Sequence, residues 1–568
     1  MLKKLLLTVL IFFVTATACL VGCGKSPDGG NTDTPDDGLS GTINIYLPLD
    51  SYSLRAFNNV KTAYRQINKN VQINIDTLQD TDGYTKAVEG IILATKNTDA
   101  DIVQTNVVSQ YYGTDKIVDF TQYLNQKNKY SEDGKTVWKR MLEEDAYRTE
   151  DAKQTIPNIS FQSNCVLAYY NKKVFAENGW SVPTDWASLL TLLESARKAG
   201  YTNPLGINYD KSGVEGNVFG WLLRMYADQY FRDTVNTVHS QEKDFSYIED
   251  VDYGWIFDLN DGTVDKRSNY TYNISRLIDA YFNGDEINAK SARYADMMAN
   301  FYDLTRYCSS SYTASGTRDA FHKGVLNIEN GSYPKSESAV IYVSRLDYMS
   351  DYQTSIGSVL KYKDDCIPAS ELQSSLGWFQ LPAMTDNQKV EGGAPATSSL
   401  RTLGGPDHRP LGIIRRNQTQ TNLCMDFLKF LFSKQGMEAY YEVYADMGII
   451  CSLNCLVKGF EVPSEIKLDN IPSFAGDCGL NPYQFFNIGY SEKNFVSSSG
   501  GMVNDGVIDV IRNYLSESEY KPWASYGKTV YDKILSGFGE YSAWKGLKYS
   551  DPAESNKYFY TNPYKVTQ

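Results

Sequence analysis

IPNISFQSNCVLAYYNKKVFAENGWSVPTDWASLLTLLESARKAGYTNPLGINY, residues 156 to 209, is the stretch on which the fold turns. A β-branched and apolar run from Ile156 crosses into YYNKKVFAENG, Val182-Pro183-Thr184 makes a turn, and a helix follows over about Asp185 to Ala199. Trp186, Leu189, Leu190, Leu193 and Ala196 recur at the spacing of one helical face, and Gly200 is placed to cap its end. This pattern describes a chain that crosses out of one lobe and starts a second.

Upstream, the first lobe is already spelled out. In GTINIYLPLD, Ile43, Ile45 and Leu47 alternate with Thr42, Asn44 and Tyr46, the period of a strand, and a breaker-rich loop from Pro48 to Ser53 ends it. A helical stretch through LRAFNNVKTAYRQINKN, a second strand VQINIDTL, a helix from about Tyr84 to Thr95 and a short strand ADIVQTN come next. Repeated βαβ units imply a largely parallel sheet covered by helices, with ligands gathering beyond the carboxyl ends of the strands. That rule directs attention to Pro48–Tyr52, which holds Tyr52, and to Gln104–Tyr112, which holds Asn106.

The stretch LAYYNKKVFAENG, with VPTDWASLL after it, resembles the signature of family 1 extracellular solute-binding proteins, the carbohydrate-type receptors of ABC importers. Other segments agree in order. DADIVQTN is similar to the strand ending the family's first βαβ unit, with Ala100 where proline is usual, and IFDLNDGTVD resembles its second-lobe hairpin. RDAFHKGVLNIENGSY is similar to a stretch with a Phe-x-x-Gly turn, an apolar strand and an Asn-Gly-x-aromatic loop. LGWFQLPAM resembles the strand entering the hinge, and LGIIRRNQTQTNLCMDFLKFLFSKQGMEAYYEVYADMGII the strand and helices beyond it.

The resemblance implies an α/β, bilobal, periplasmic-binding-protein-like fold of type II: two mixed βαβ lobes joined by a hinge, with an extra C-terminal helical region. The first lobe would take residues 42–160 with about 378–440, and the second about 161–377 with 441–568. The long segment between Trp221 and Phe321 and the tail beyond Leu456 depart from the family pattern.

At the amino end, Lys3 and Lys4 precede an apolar run from Leu5 to about Ala18, the layout of an export signal. An uncleaved spanning helix is the alternative, since the uncharged run through Gly22 reaches the roughly 18 residues a span needs. Leu20-Val21-Gly22-Cys23 resembles a bacterial lipobox, which makes residues 1–22 a signal peptide and Cys23 the diacylated first residue. Two chains are needed, because one gives only marginal membrane attachment. Residues 23–41 then hold the lipidated Cys23 and a tether poor in apolar side chains, Lys25 to Gly41, with a coil span of about 23 Å.

A formal charge of −13 with no Lys/Arg cluster argues against nucleic acid as a partner. The three histidines, His239, His322 and His408, are far apart, and no H-E-x-x-H, G-x-S-x-G or Walker-type sequence occurs. The seven cysteines beyond Cys23 make no disulfide framework, and the lone C-x3-C of Cys451 and Cys455 reads as a thiol pair or one disulfide rather than a metal site. No metal and no cofactor are expected.

The resemblance implies recognition of a sugar, which needs aromatic faces for the apolar side of each ring and planar polar groups for its hydroxyls. By the resemblance, Asn164 stands where the family has a sugar-contacting glutamate, with Gln162 its neighbour on the same side of the strand, and Tyr333 stands where a tryptophan stacks. Trp221, with Glu215 and Asn217 before it, falls near another contact segment, although FGWLLRMYADQYF has helical spacing and reads as core. Trp378 is a hinge-side candidate. The implied protein is a monomeric lipoprotein on the outer face of the cytoplasmic membrane that delivers a carbohydrate to ABC permease subunits. Two other readings remain at this level: a secreted polysaccharide-acting glycoside hydrolase, and a surface receptor of the same fold for a non-sugar solute.

Overall fold

Three apolar side chains at alternate positions, Ile43, Ile45 and Leu47, anchor the first strand in the core. The computed structural model describes residues 38–94, 100–105, 108, 111–143, 146–147, 155–210, 213–214, 218–244, 247, 249, 253–254, 273–284, 287–309, 313–330, 333–362, 366–402, 404–405, 410–451, 453–467 and 502–537. Within them the chain runs β1 (Gly41–Leu47), α1 (Ser51–Ile67), β2 (Val71–Thr77), α2 (Thr81–Leu93), β3 (Ile102–Gln104), β4 (Gln162–Asn171), α3 (Lys172–Asn178) and α4 (Trp186–Lys198). It continues with β5 (Leu205–Gly206), α5 (Val218–Phe231), α6 (Ala292–Thr305), α7 (Ala314–Asn330), β6 (Ile341–Arg345), α8 (Tyr348–Val359), β7 (Leu376–Phe379), β8 (Gly404–Gly405) and β9 (Leu411–Ile413). The remaining principal elements are α9 (Gln418–Leu431), α10 (Lys434–Met447), β10 (Asn454–Cys455), α11 (Met502–Leu515) and α12 (Ala524–Gly537).

Two sheets organise these elements. The first has the order β2-β1-β3-β9, with β1 parallel to both neighbours and β9 antiparallel to β3. The second has the order β10-β4-β6-β5, with β7 and β8 also pairing to β4. β4 is its spine: Val166 to Tyr170 pair with Arg345 to Ile341 on one edge, and Ala168 to Asn171 pair with Phe379 to Leu376 on the other. All of β4 except Tyr170 is buried, which is why its sequence lacks strict alternation.

The deciding stretch folds much as its pattern indicates. Asp185 caps α4 through the Ser188 amide, with the Ser188 hydroxyl returning the bond, and Gly200 comes after the helix at φ +103°. Its buried face is Trp186, Leu189, Leu192, Leu193 and Ala196; Leu192 takes the place expected for Leu190, which is half-buried.

Four expectations are corrected. The loop after β1 is shorter than Pro48–Ser53, because Asp50 caps α1 and the helix starts at Ser51. The second helix lies over Thr81–Leu93 rather than 84–95. The apolar strand expected within RDAFHKGVLNIENGSY is helical, part of α7: Thr317, Ala320, Phe321, Gly324 and Val325 are buried at the period of a helix. α7 packs so close to the approach to β6 that a Cβ on Gly324 would stand 2.5 Å from the Ala339 carbonyl oxygen.

The lobe boundary also moves. β7 completes the second sheet, and residues 380–402 stay with that lobe: Thr402 Oγ1 donates to the Val166 carbonyl, and Gln229 Nε2 to that of Thr397. Return to the first sheet comes with β9, not near 378, and α10 packs on α1, so the first lobe runs past 440. The hairpin expected in IFDLNDGTVD and the segment 1–37, with Cys23, lie outside the described residues.

The C-terminal helices belong to the second lobe. Trp523 donates its indole N–H to the Ala289 carbonyl at 2.8 Å and stacks on Tyr294 at 5.3 Å and 8°. Arg306, at the end of α6, donates to the carbonyls of Leu515 and Glu517, the latter at 2.7 Å. Val507, Ile508, Ile511, Tyr514, Val530 and Ile534 join the same apolar core as α4, α5 and α6.

Candidate functional site

β6 ends at Arg345, and the turn beyond it is set by one buried amide. Asn164 Oδ1 accepts from the Leu346 N–H at 2.8 Å, and the Cys165 carbonyl accepts from the same N–H at 3.0 Å. The turn so fixed delivers Arg345, Asp347 and Tyr348 in succession, and α8 adds Ser350 and Asp351. Arg345 donates to Asp347 Oδ2 at 2.8 Å, and its guanidinium carbon lies 5.7 Å from the centre of the Trp221 ring on α5. Arg318, from α7, stands 3.4 Å from Asp351 Oδ2 and 3.7 Å from Asp319 Oδ1.

The facing wall comes from the first lobe. Asp50 Oδ1 accepts from the Ser53 amide at 2.7 Å, as the cap of α1, while Oδ2 accepts from the Ser53 hydroxyl at 2.9 Å. Ser53 Oγ lies 3.1 Å from the Tyr444 hydroxyl, which lies 3.4 Å from that of Tyr440. α10 thus presents two tyrosines to the start of α1.

Between these walls is a cavity of about 390 Å3, lined on one side by Asp50, Ser53, Tyr440 and Tyr444 and on the other by Trp221, Arg318, Arg345, Asp347, Tyr348 and Asp351. Gln162, at the start of β4, and Cys451 lie where the chain passes between lobes, and Gln162 Nε2 donates to the Tyr441 hydroxyl at 3.0 Å. The volume falls within the range of small-molecule sites, roughly 300–1,000 Å3. Guanidiniums, carboxylates, hydroxyls and one half-buried indole supply donors, acceptors and an apolar face together.

The cavity has a tyrosine-rich backing. Tyr348 meets Tyr342 edge-on at 4.7 Å, and behind it His322 Nε2 lies 2.9 Å from the Tyr348 hydroxyl. Burial holds the His322 imidazolium pKa down at about 4, with Asp351 opposing and Arg318 adding to the shift. Burial likewise pushes the Tyr348 hydroxyl well above its ordinary range and the Cys451 thiol up to about 12, so these groups stay neutral near pH 7.

Of the residues singled out in the sequence, Gln162 and Trp221 line the cavity. Asn164 does not; it is buried and shapes the turn that carries three lining residues. Tyr333 lies away from the cavity, packed on the core of α7 and α8 with Lys323 Nζ 5.8 Å from its ring. Trp378 pairs with Tyr169 in β7 and carries Lys172 Nζ 5.7 Å from its ring, also outside the lining. Tyr52 sits in the first turn of α1, between Asp50 and Ser53, which do line it. Asn106, Glu215 and Asn217 lie outside the described residues.

Sequence reasoning missed Asp50, Arg318, Arg345, Asp347, Tyr348 and Tyr444. The signal for the central group was present: SAVIYVSRLDY is an apolar strand with a polar turn and an aromatic after it, the pattern looked for one segment too early.

No family model matches the chain, and no curated protein matches it. Solved structures do. A family 1 extracellular solute-binding protein from Bifidobacterium longum subsp. infantis is similar at 13% identity and a TM-score of 0.50, over 88% of this chain and 100% of that one. A cyclic alpha-maltosyl-1,6-maltose binding protein from Arthrobacter globiformis matches at 12% identity and TM-score 0.49, over 88% and 99%. RafE in complex with raffinose matches at 14% and 0.43, over 88% and 100%. With two mixed sheets and a cavity between them, the chain has the bilobal fold of the periplasmic-binding-protein type, with additional helices at its carboxyl end. Among the described residues no helix is long and apolar enough to cross a membrane, and no three His, Cys, Asp or Glu are grouped to hold a metal ion.

Proposed function

We propose that this protein is the solute-capturing receptor of an ABC-type importer, a family 1 member that closes two lobes over a sugar or oligosaccharide. One observation carries the reading: the cavity is walled by both lobes and offers Trp221 beside paired guanidiniums and carboxylates. A sugar ring has one apolar face and a rim of hydroxyls that both donate and accept, and this lining matches both. Closure about the crossing segments would desolvate those contacts and create the surface a permease engages. The protein acts as a monomeric binding protein, not an enzyme, with no cofactor.

Export and diacylation at Cys23 place it on the outer face of the cytoplasmic membrane, on a tether ending near Gly41. The test is a melting-shift panel on the protein lacking residues 1–24, since a ligand that binds only the folded state raises its stability by mass action. Upward shifts with mono- or oligosaccharides are expected. Silence across them, with amino acids or peptides active instead, would overturn the sugar reading, and steady release of reducing ends from polysaccharide would overturn the receptor reading. Replacing Cys23 by Ala in the full chain is expected to release the protein from membranes.

A further inference from the structure

We infer that the cavity selects neutral over anionic saccharides, and that Asp347 and Asp351 are the residues that set this selectivity. The inference rests on the proposed solute-binding role and names the charge class of the solute.

Local charge makes the distinction. Two guanidiniums line the cavity, and a saccharide bearing a carboxylate, sulfate or phosphate would need at least one of them, since Arg pairs such groups through parallel N–H bonds. Neither is available on its own. Arg345 is held by Asp347 at 2.8 Å, and Arg318 lies between Asp351 at 3.4 Å and Asp319 at 3.7 Å. The opposite wall adds Asp50, another carboxylate, and among the described residues no lysine or further arginine joins the lining. His322, behind Tyr348, is neutral at physiological pH and contributes no positive charge. An anionic ligand would therefore meet an excess of negative groups in a site that excludes water on closure, where like charges are screened least.

For a neutral sugar the same pairs are an advantage. A guanidinium already bonded to a carboxylate keeps other N–H groups for a hydroxyl oxygen, and the carboxylate keeps lone pairs for the hydroxyl hydrogen. Each pair then offers a donor and an acceptor side by side, preorganised by its own bond. Selectivity of this kind works by repulsion of the wrong ligand as much as by attraction of the right one.

The experiment uses the protein lacking residues 1–24 and compares melting shifts and calorimetric affinities. The neutral probes are glucose, galactose, maltose, cellobiose, xylobiose and raffinose, and the anionic probes are glucuronate, galacturonate and digalacturonate. In the unsubstituted protein at least one neutral probe is expected to bind and all three anionic probes to fail. Asp347→Asn and Asp351→Asn keep an acceptor in place while removing the carboxylate paired with Arg345 and one of the two beside Arg318, and one or both should bind an anionic probe about tenfold tighter or more, with an effect that fades as salt is raised. Melting of each variant without ligand verifies that it is folded. Tighter binding of an anionic than of a neutral probe by the unsubstituted protein overturns the inference and leaves the receptor reading standing, as does a failure of both variants to gain anionic binding. Silence toward every saccharide overturns the sugar reading, and this inference with it, while the receptor reading stands.

Discussion

Tyr348 and His322 are joined by a 2.9 Å hydrogen bond behind the cavity, which places an ionisable ring one side chain away from the cavity lining. His322 is neutral when folded, its pKa lowered to about 4 from 6.5 chiefly by burial. The unfolded chain binds the proton first as pH falls. The stability this residue contributes is therefore complete above pH 6.5 and is lost as pH falls toward 4, a total of roughly 3 kcal/mol. Chemical denaturation from pH 7 to 4.5 should show this slope, and His322→Gln, which retains a hydrogen-bonding side chain but does not titrate, should flatten it.

Trp221 is half-buried, with the Arg345 guanidinium near its ring. Trp221→Ala is expected to weaken solute binding by about 1–3 kcal/mol, the cost of removing an aromatic anchor. Tyr333→Ala and Trp378→Ala, both away from the cavity, should leave the affinity within about 0.5 kcal/mol. Titration calorimetry with any solute active in the panel distinguishes the three.

Asp50 has two duties, since the carboxylate that caps α1 also lines the cavity. Asp50→Ala should cost about 1 kcal/mol of stability through the lost cap, whereas Asp50→Asn, a competent cap, should cost a few tenths. Urea unfolding of both variants measures the difference.

Asp228 on α5 is fully buried and bonded to two guanidiniums, Arg232 at 2.6 Å and Arg401. Burial alone would raise its pKa, but the paired arginines more than offset it and hold the carboxyl below the usual range. Asp228→Ala leaves a buried and a half-buried guanidinium without their shared partner and should cost about 3–5 kcal/mol. It should also loosen the 397–402 segment that Arg232 and Arg401 hold against α5, seen as faster amide exchange there.

The first βαβ units and the 162–200 stretch are legible in the sequence because strand and helix periods there are clean and α4 is bounded by Asp185 and Gly200, whereas Asp50, the cap of α1, reads as loop. The pattern misleads at 325–328, where a short apolar run inside a helix looks like a strand unless its buried positions are spaced out over several turns. Tyr333 is singled out in the sequence by its place in the NGSY loop; Tyr348, not Tyr333, lines the cavity. The other lining residues were hidden because the site is assembled across the chain: Arg318, Arg345, Asp347 and Tyr444 are brought beside Trp221 and the Pro48–Tyr52 stretch by tertiary packing, and no local spacing encodes it. Asn164 was singled out for ligand contact, but its buried oxygen serves the backbone of Leu346 instead.

The docking of Trp523 on Tyr294 and Ala289, with Arg306 reaching the carbonyls of Leu515 and Glu517, has a consequence for how the gene can be cut. Residues 502–537 lie in the tail that departs from the family pattern, yet they seal the outer side of α6. Truncation before Met502 would uncover Tyr294, Tyr302 and the side of α6 that meets α11, a sticky face on an otherwise acidic surface. Minimal versions of this protein made by trimming to the common core should therefore precipitate, and versions extended through α12 should stay in solution.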